Sequence, residues 1–108
     1  MKYDALYLRH ILGAIAKIRR YTSDIDERGF ISNEMVQDAV IRQLEIIGEA
    51  TKLLSEETKC RINLPWKDIA GIRDKLIHNY FGVDLEAVWL TVAENLDGME
   101  KEIARFLG

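Results

Sequence analysis

Cysteine, proline and histidine are scarce in this chain of 108 residues, with one, one and two copies, and each scarcity excludes something. The lone thiol, Cys60, has no intramolecular disulfide partner, which fits a reducing compartment. Two histidines and one cysteine make no ligand set with zinc spacing, so no metal and no other cofactor is expected. No apolar run approaches the roughly 20 residues that span a bilayer. Met1 leads into alternating polar and charged residues with no apolar signal segment, and the expected location is the cytoplasm, away from membranes. Excess positive charge is lacking as well. The formal net charge is -3, so the bulk field does not attract nucleic acid. A DNA-binding bundle fares worst, because no stretch carries a basic stripe suited to the major groove. RNA binding would have to rest on a local patch of Lys67, Arg73 and Lys75, doubled by dimerisation.

What the chain does contain is apolar residues, 48% of the total, set at helical spacing. Leu8, Ile11, Ile15 and Ile18 form one stripe and predict a helix from about Tyr3 to Tyr21. His10 lies off that stripe and reads as a surface histidine. Thr22 to Ser32 is polar and turn-prone and predicts a loop, with Phe30 and Ile31 folded back beneath it. Its Asp24, Asp26 and Glu27 lack the glycine placement and terminal glutamate of a calcium loop. A second helix starts with Ser32 or Asn33 as its cap and runs to about Leu54. Its stripe is Val36, Val40, Leu44, Ile47, Ala50 and Leu54, widened by Met35, Ala39, Ile46 and Leu53. Gly48 interrupts it at a cost of about 1 kcal/mol in helix propensity, pointing to a close backbone approach or a tolerated defect. Ser55 to Leu64 is a charged connection. Pro65 then suits the first turn of a third helix, in which Trp66 is a hydrophobic anchor and Ile69, Ile72 and Leu76 are buried. Gly82 and Asp84 are a C-cap and an N-cap around a tight turn. The last helix carries Leu85, Val88, Val92, Leu96, Met99, Ile103 and Phe106. Residues 1–108 are thus expected to form one domain, an all-α antiparallel four-helix bundle.

The chemistry is concentrated in Ile72-Arg73-Asp74-Lys75-Leu76-Ile77-His78-Asn79-Tyr80-Phe81. On an ideal helix Arg73 and Tyr80 fall within about 20° of each other. His78 lies about 140° around the axis from Arg73 and about 7.5 Å along it, on a second stripe with Gly71, Asp74 and Lys75. Two copies of the helix related by a two-fold axis bring His78 beside the partner's Arg73 more readily than one copy does, so a homodimer is expected. Neutral His78 can take a proton near pH 7 and return it, and Arg73 matches phosphate oxygens with a planar fork. The pair suits metal-free attack of a ribose 2′-hydroxyl on its neighbouring phosphate. Chance offers the competing account, since an Arg and a His within eight residues are common and a helix C-terminus favours His.

Arg73, four intervening residues, His78, Asn79 and Tyr80 spell Arg-x4-His-x-Tyr, which resembles the HepT-like ribonuclease toxins of the HEPN superfamily. Leu64-Pro65-Trp66, Phe81-Gly82-Val83-Asp84, Trp89 and Ile47-Gly48-Glu49-Ala50 extend the resemblance over nearly the whole chain. It implies a HEPN-like bundle, catalytic roles for Arg73 and His78, and a type VII toxin-antitoxin pairing. In that pairing Tyr80 is the tyrosine to which a cognate minimal nucleotidyltransferase antitoxin attaches AMP. Asp74, Lys75 and Asn79, within the motif, are candidates for supporting roles. The competing function is a non-enzymatic helical adaptor that binds a nucleotidyltransferase, with Arg73 and Tyr80 as a nucleotide clamp. The two separate on His78, which only the nuclease needs.

Overall fold

A computed structural model describes residues 3–76 and 82–108. The first expected stripe forms α1, Asp4–Thr22, and buries Leu8, Ile11, Ala14, Ile15 and Ile18. Each large side chain among these contributes about 1.5–3 kcal/mol on leaving water. Their main cover is α3, Glu34–Lys52, which buries Val40, Leu44, Ile47 and Ala50. Asn33 starts α3, its side-chain oxygen accepting the Val36 N–H at 3.1 Å. The stripe of α3 is narrower than expected. Met35 and Leu53 are 77% and 59% exposed, so the apolar face is covered along the middle of the helix and open at both ends.

The polar stretch expected as a loop holds a short helix, α2, Glu27–Ile31. One local and one distant force make it fold: the Asp26 side chain accepts the Gly29 N–H at 2.9 Å as an N-cap, and Phe30 is completely buried. Its ring lies 5.4 Å from that of Trp89. Ile31, expected beneath the loop, is 41% exposed. The charged connection likewise folds as α4, Glu56–Arg61, capped by Ser55.

Ser55 does more than cap α4. Its backbone N–H and hydroxyl, with the Thr58 hydroxyl, donate to the buried carboxylate of Asp4 in the first turn of α1. Burial alone would push this carboxyl up, but the hydrogen bonds to its charged form prevail and lower it from 3.8 to about 2.

The third helix is not continuous. It forms α5, Trp66–Ala70, and α6, Ile72–Leu76, separated at Gly71, whose N–H turns back to the Lys67 carbonyl at 3.1 Å. Pro65 stands at the N-cap, one residue before the helix. Trp66 is buried and its indole N–H is shared between the carbonyls of Lys59 and Ile62, as befits an anchor. The last helix is also in two pieces, α7, Leu85–Glu94, and α8, Leu96–Leu107, which meet at Asn95. Backbone bonds from Asn95 to Thr91 and from Met99 to Asn95 cross the join, so the two run on with a bend. Asp84 caps α7 by accepting the Ala87 N–H, and Gly82 before it has a φ of 86°, the left-handed region that glycine occupies without penalty.

The fold is all-α and HEPN-like. α3 runs through its centre, with α1 along one side and α5 and α6 along another, while α7 reaches α2, α6 and α8. Among the described residues no helix is long and apolar enough to cross a membrane.

Candidate functional site

The site is built where α6 crosses α3. A side chain on α3 at this point would keep the helices apart, and Gly48 has none. A Cβ placed on it would meet the Ile72 side chain at 3.2 Å and the carbonyls of Ile69 and Ala70 at 3.5 Å. Of the two readings of this glycine, a close approach or a tolerated defect, the structure shows the close approach, and Ile72 and Leu76 of α6 are buried. Arg73, next to Ile72, then emerges beside α3.

There its Nε donates to the Glu45 carboxylate at 2.9 Å. The Arg73 side chain is 55% exposed and that of Glu45 27%, so the carboxylate lies deeper than the guanidinium it holds. Among the described residues no other side chain is paired with Arg73. As a contribution to stability an exposed pair of this kind is worth under about 1 kcal/mol. Its effect is on direction, because it holds one edge of the guanidinium and leaves the terminal nitrogens without a partner among the described residues.

Glu45 is the site residue that the sequence reading missed. Glu49, next to Gly48, is exposed and among the described residues pairs only with Lys52 at 3.5 Å. The usable signal was Gly48 taken with helix geometry. Position 45, three residues earlier, lies about 60° from Gly48 around α3, nearer the crossing than position 49, which lies about 100° away on the same side.

Of the expected cationic patch of Lys67, Arg73 and Lys75, the last two are held by different carboxylates, Glu45 and Asp68. Lys75 pairs with Asp68 at 3.4 Å and borders a groove between α5–α6 and the α7–α8 junction. Arg73 points the other way, toward α3. This follows from spacing alone, since two residues apart on a helix is about 200°. The groove has a volume of about 510 Å³, an apolar floor that includes Leu64, Ile69, Ile72, Leu76 and Met99, and a rim with Glu94 and Glu102. An acidic rim repels a phosphodiester, so the groove is no path for RNA.

Of the other expected site residues, Asp74 is exposed on α6. His78, Asn79 and Tyr80 lie outside the described residues. His10 is exposed on α1 with its ring 6.4 Å from that of Tyr7, as expected of a surface histidine. Among the described residues no three His, Cys, Asp or Glu side chains converge as a metal site would require.

Comparison with known proteins extends the geometry. The family model described as "Ribonuclease HepT-like" matches residues 11–106. A Methanocaldococcus jannaschii protein named "Putative RNase MJ1380" is 41% identical over 98 residues, covering 90% of each chain. "Probable ribonuclease HepT" of Thermococcus cleftensis is 43% identical over 95 residues, 87% of this chain and 86% of that one. A third relative, "Gamma-glutamylcyclotransferase and putative RNase MJ0434" of M. jannaschii, is 45% identical over 103 residues. There the match covers 94% of this chain but only 46% of the relative, so the chain spans about half of that protein. No solved structure matches. A family model that covers the chain almost from end to end, with two relatives matched over nearly their full length, settles the assignment: the chain belongs to the HepT-like ribonuclease family.

Proposed function

We propose that this protein is the toxin of a HEPN/MNT toxin-antitoxin pair, a metal-independent endoribonuclease that uses Arg73 and His78. The observation that carries the reading is the Arg73 guanidinium, tethered by one edge to Glu45 and open at the other, in a chain of the HepT-like family. His78 takes the proton of a ribose 2′-hydroxyl, and the oxygen attacks the adjacent phosphorus. The bond to the 5′-oxygen breaks, and His78 returns the proton to that leaving oxygen. Arg73 neutralises charge on the pentacoordinate phosphate. The products carry a 2′,3′-cyclic phosphate and a 5′-hydroxyl. A homodimer supplies His78 of one copy beside Arg73 of the other.

Tyr80 is the point of control. AMP attached there by a nucleotidyltransferase antitoxin brings a phosphate next to Arg73, where it competes with RNA for the guanidinium.

The test is RNA cleavage in EDTA by protein shown by mass spectrometry to be unmodified at Tyr80. Wild type should leave 2′,3′-cyclic phosphate ends, and Arg73→Ala and His78→Ala should each lose activity. If wild type leaves a broad set of RNAs uncut, or if both variants cut as well as it does, the nuclease reading fails. The adaptor reading then takes its place.

A further inference from the structure

We propose that Glu45 is a positioning residue for Arg73, holding the guanidinium by its Nε edge so that the edge formed by its two terminal nitrogens meets the substrate phosphate. The proposal rests on the reading of Arg73 as the phosphate-binding residue. It adds which edge of Arg73 is used and what fixes it.

A guanidinium offers two edges on which paired acceptors can sit, one formed by Nε and a terminal nitrogen and one by both terminal nitrogens. The Glu45 carboxylate lies 2.9 Å from Nε and so occupies the first. The second has no protein partner among the described residues. Arg73 stands on a helix of only five residues, whereas Glu45 stands on α3, a helix of 19 residues at the centre of the fold. The tether thus refers a long side chain on a short helix to the long helix at the centre of the fold. Gly48, one turn along α3, holds α6 close enough for the tether to reach.

Charge and geometry make opposite predictions here. A carboxylate beside an arginine weakens its field, so if Glu45 acted by charge alone, removing it would tighten phosphate binding. If Glu45 acts by orientation, removing it loosens binding, while glutamine, which keeps an acceptor oxygen and loses the charge, preserves it. The sign of the effect decides the matter.

The experiment measures binding of a mixed-sequence, fully 2′-O-methylated RNA oligonucleotide, which cannot be cut, to wild type, Glu45→Gln, Glu45→Ala, Arg73→Ala and Glu45→Ala/Arg73→Ala. Cleavage rates of an unmodified RNA and thermal midpoints accompany it. Orientation predicts about tenfold weaker binding and at least an equal loss of kcat/KM for Glu45→Ala. It also predicts near wild-type values for Glu45→Gln, unchanged midpoints, and no further loss when Glu45→Ala is added to Arg73→Ala. The proposal is overturned if Glu45→Ala binds as well as or better than wild type, or if its loss persists undiminished without Arg73. It is equally overturned if Glu45→Gln is as defective as Glu45→Ala. Should Glu45→Ala fail to fold, the glutamine variant alone decides, through its cleavage rate and the solvent exchange of the Arg73 Nε–H by NMR. That exchange reports the tether even if wild type cuts no RNA, so failure of the nuclease reading and failure of this proposal are told apart.

Discussion

Two arginines of this protein are held by carboxylates on other helices, and they are held differently. Arg19, near the end of α1, donates to both Asp97 and Glu100 of α8, and the Glu100 bond leads the causes that raise its pKa further above the usual arginine value. Its terminal nitrogens are both spent on the protein. Arg73 is bound through Nε alone. The first arrangement closes a guanidinium and joins two helices, while the second aims one and leaves it able to bind. The same residue type is thus a clip in one place and a recognition group in another, according to which nitrogens the fold consumes.

Replacing each arginine by lysine breaks the comparison most sharply. Lysine keeps the charge and loses the planar fork. At position 73 we expect RNA cleavage to fall by about 100-fold or more with the thermal midpoint unchanged. At position 19 cleavage should stay at the wild-type rate. Initial rates in EDTA with a common RNA check both. A fully active Arg73→Lys would show that only a point charge is required, and the distinction between aimed and closed guanidinium would lose its meaning.

The crossing beneath Arg73 comes next. Gly48→Val places two methyl groups against Ile72 and the carbonyls of Ile69 and Ala70, where even one carbon has 3.2 Å to its neighbour. The cost should be about 1–3 kcal/mol of stability. Cleavage should fall further than stability does, because α6 carries Arg73 away from Glu45. Gly48→Ala should be nearly neutral in a denaturant titration, since the gain of up to about 1 kcal/mol in helix propensity offsets a contact that the Ile72 side chain can relieve. If Gly48→Val cuts normally, the crossing does not position Arg73.

How much of this was legible in the sequence follows from the range of the forces involved. Leu8, Ile11, Ile15 and Ile18 lie on one stripe, and all four are completely buried, because periodicity over several turns records burial directly. A cap at Ser32 or Asn33, and one at Asp84, were legible for a similar reason, since the bond found at Asn33 and at Asp84 spans three residues. Short elements were not. α2 has five residues, too few to show a period, and it forms because Asp26 caps it locally and Phe30 packs against the distant Trp89. The break at Gly71 was hidden by apolar residues that continue the pattern on both sides. Of the site, the sequence marks Arg73 as a candidate and leaves Gly48 open between a close approach and a tolerated defect, while Glu45 was missed because its partner lies 28 residues away. No spacing rule links two charges across a helix crossing. His78, Asn79 and Tyr80 were legible only as a motif and lie outside the described residues.

The other end of α1 supplies a pH-dependent counterpart to the Arg19 clip. Asp4, bound by Ser55 and Thr58, has its pKa lowered to about 2 from 3.8, so it contributes stability that is complete above the unfolded value and lost as pH falls from about 4 through 2. Discounted for solvent screening, the contribution is about 1–2 kcal/mol. Urea titrations between pH 2 and 5 should show wild type losing that amount on acidification. Asp4→Asn should begin lower and lose less. Parallel curves for the two proteins would mean that other carboxylates govern the acid limb.

The smallest expected effect belongs to Arg19→Ala, and it tests the closed half of the comparison. The pair is partly exposed, with Arg19 at 38% and Asp97 at 88%, and pairs in such surroundings contribute about 0.2–1 kcal/mol. The thermal midpoint should therefore fall by only a few degrees, and the difference from wild type should shrink in 1 M salt, where the screening length is about 3 Å. RNA cleavage at a temperature where both proteins are folded should be unchanged, because among the described residues no side chain of α1 or α8 pairs with Arg73. A cleavage defect in Arg19→Ala without a loss of helical signal would show that the α1–α8 clip also governs the site. The two arginines would then be parts of one device, and their separate roles as clip and recognition group would not stand.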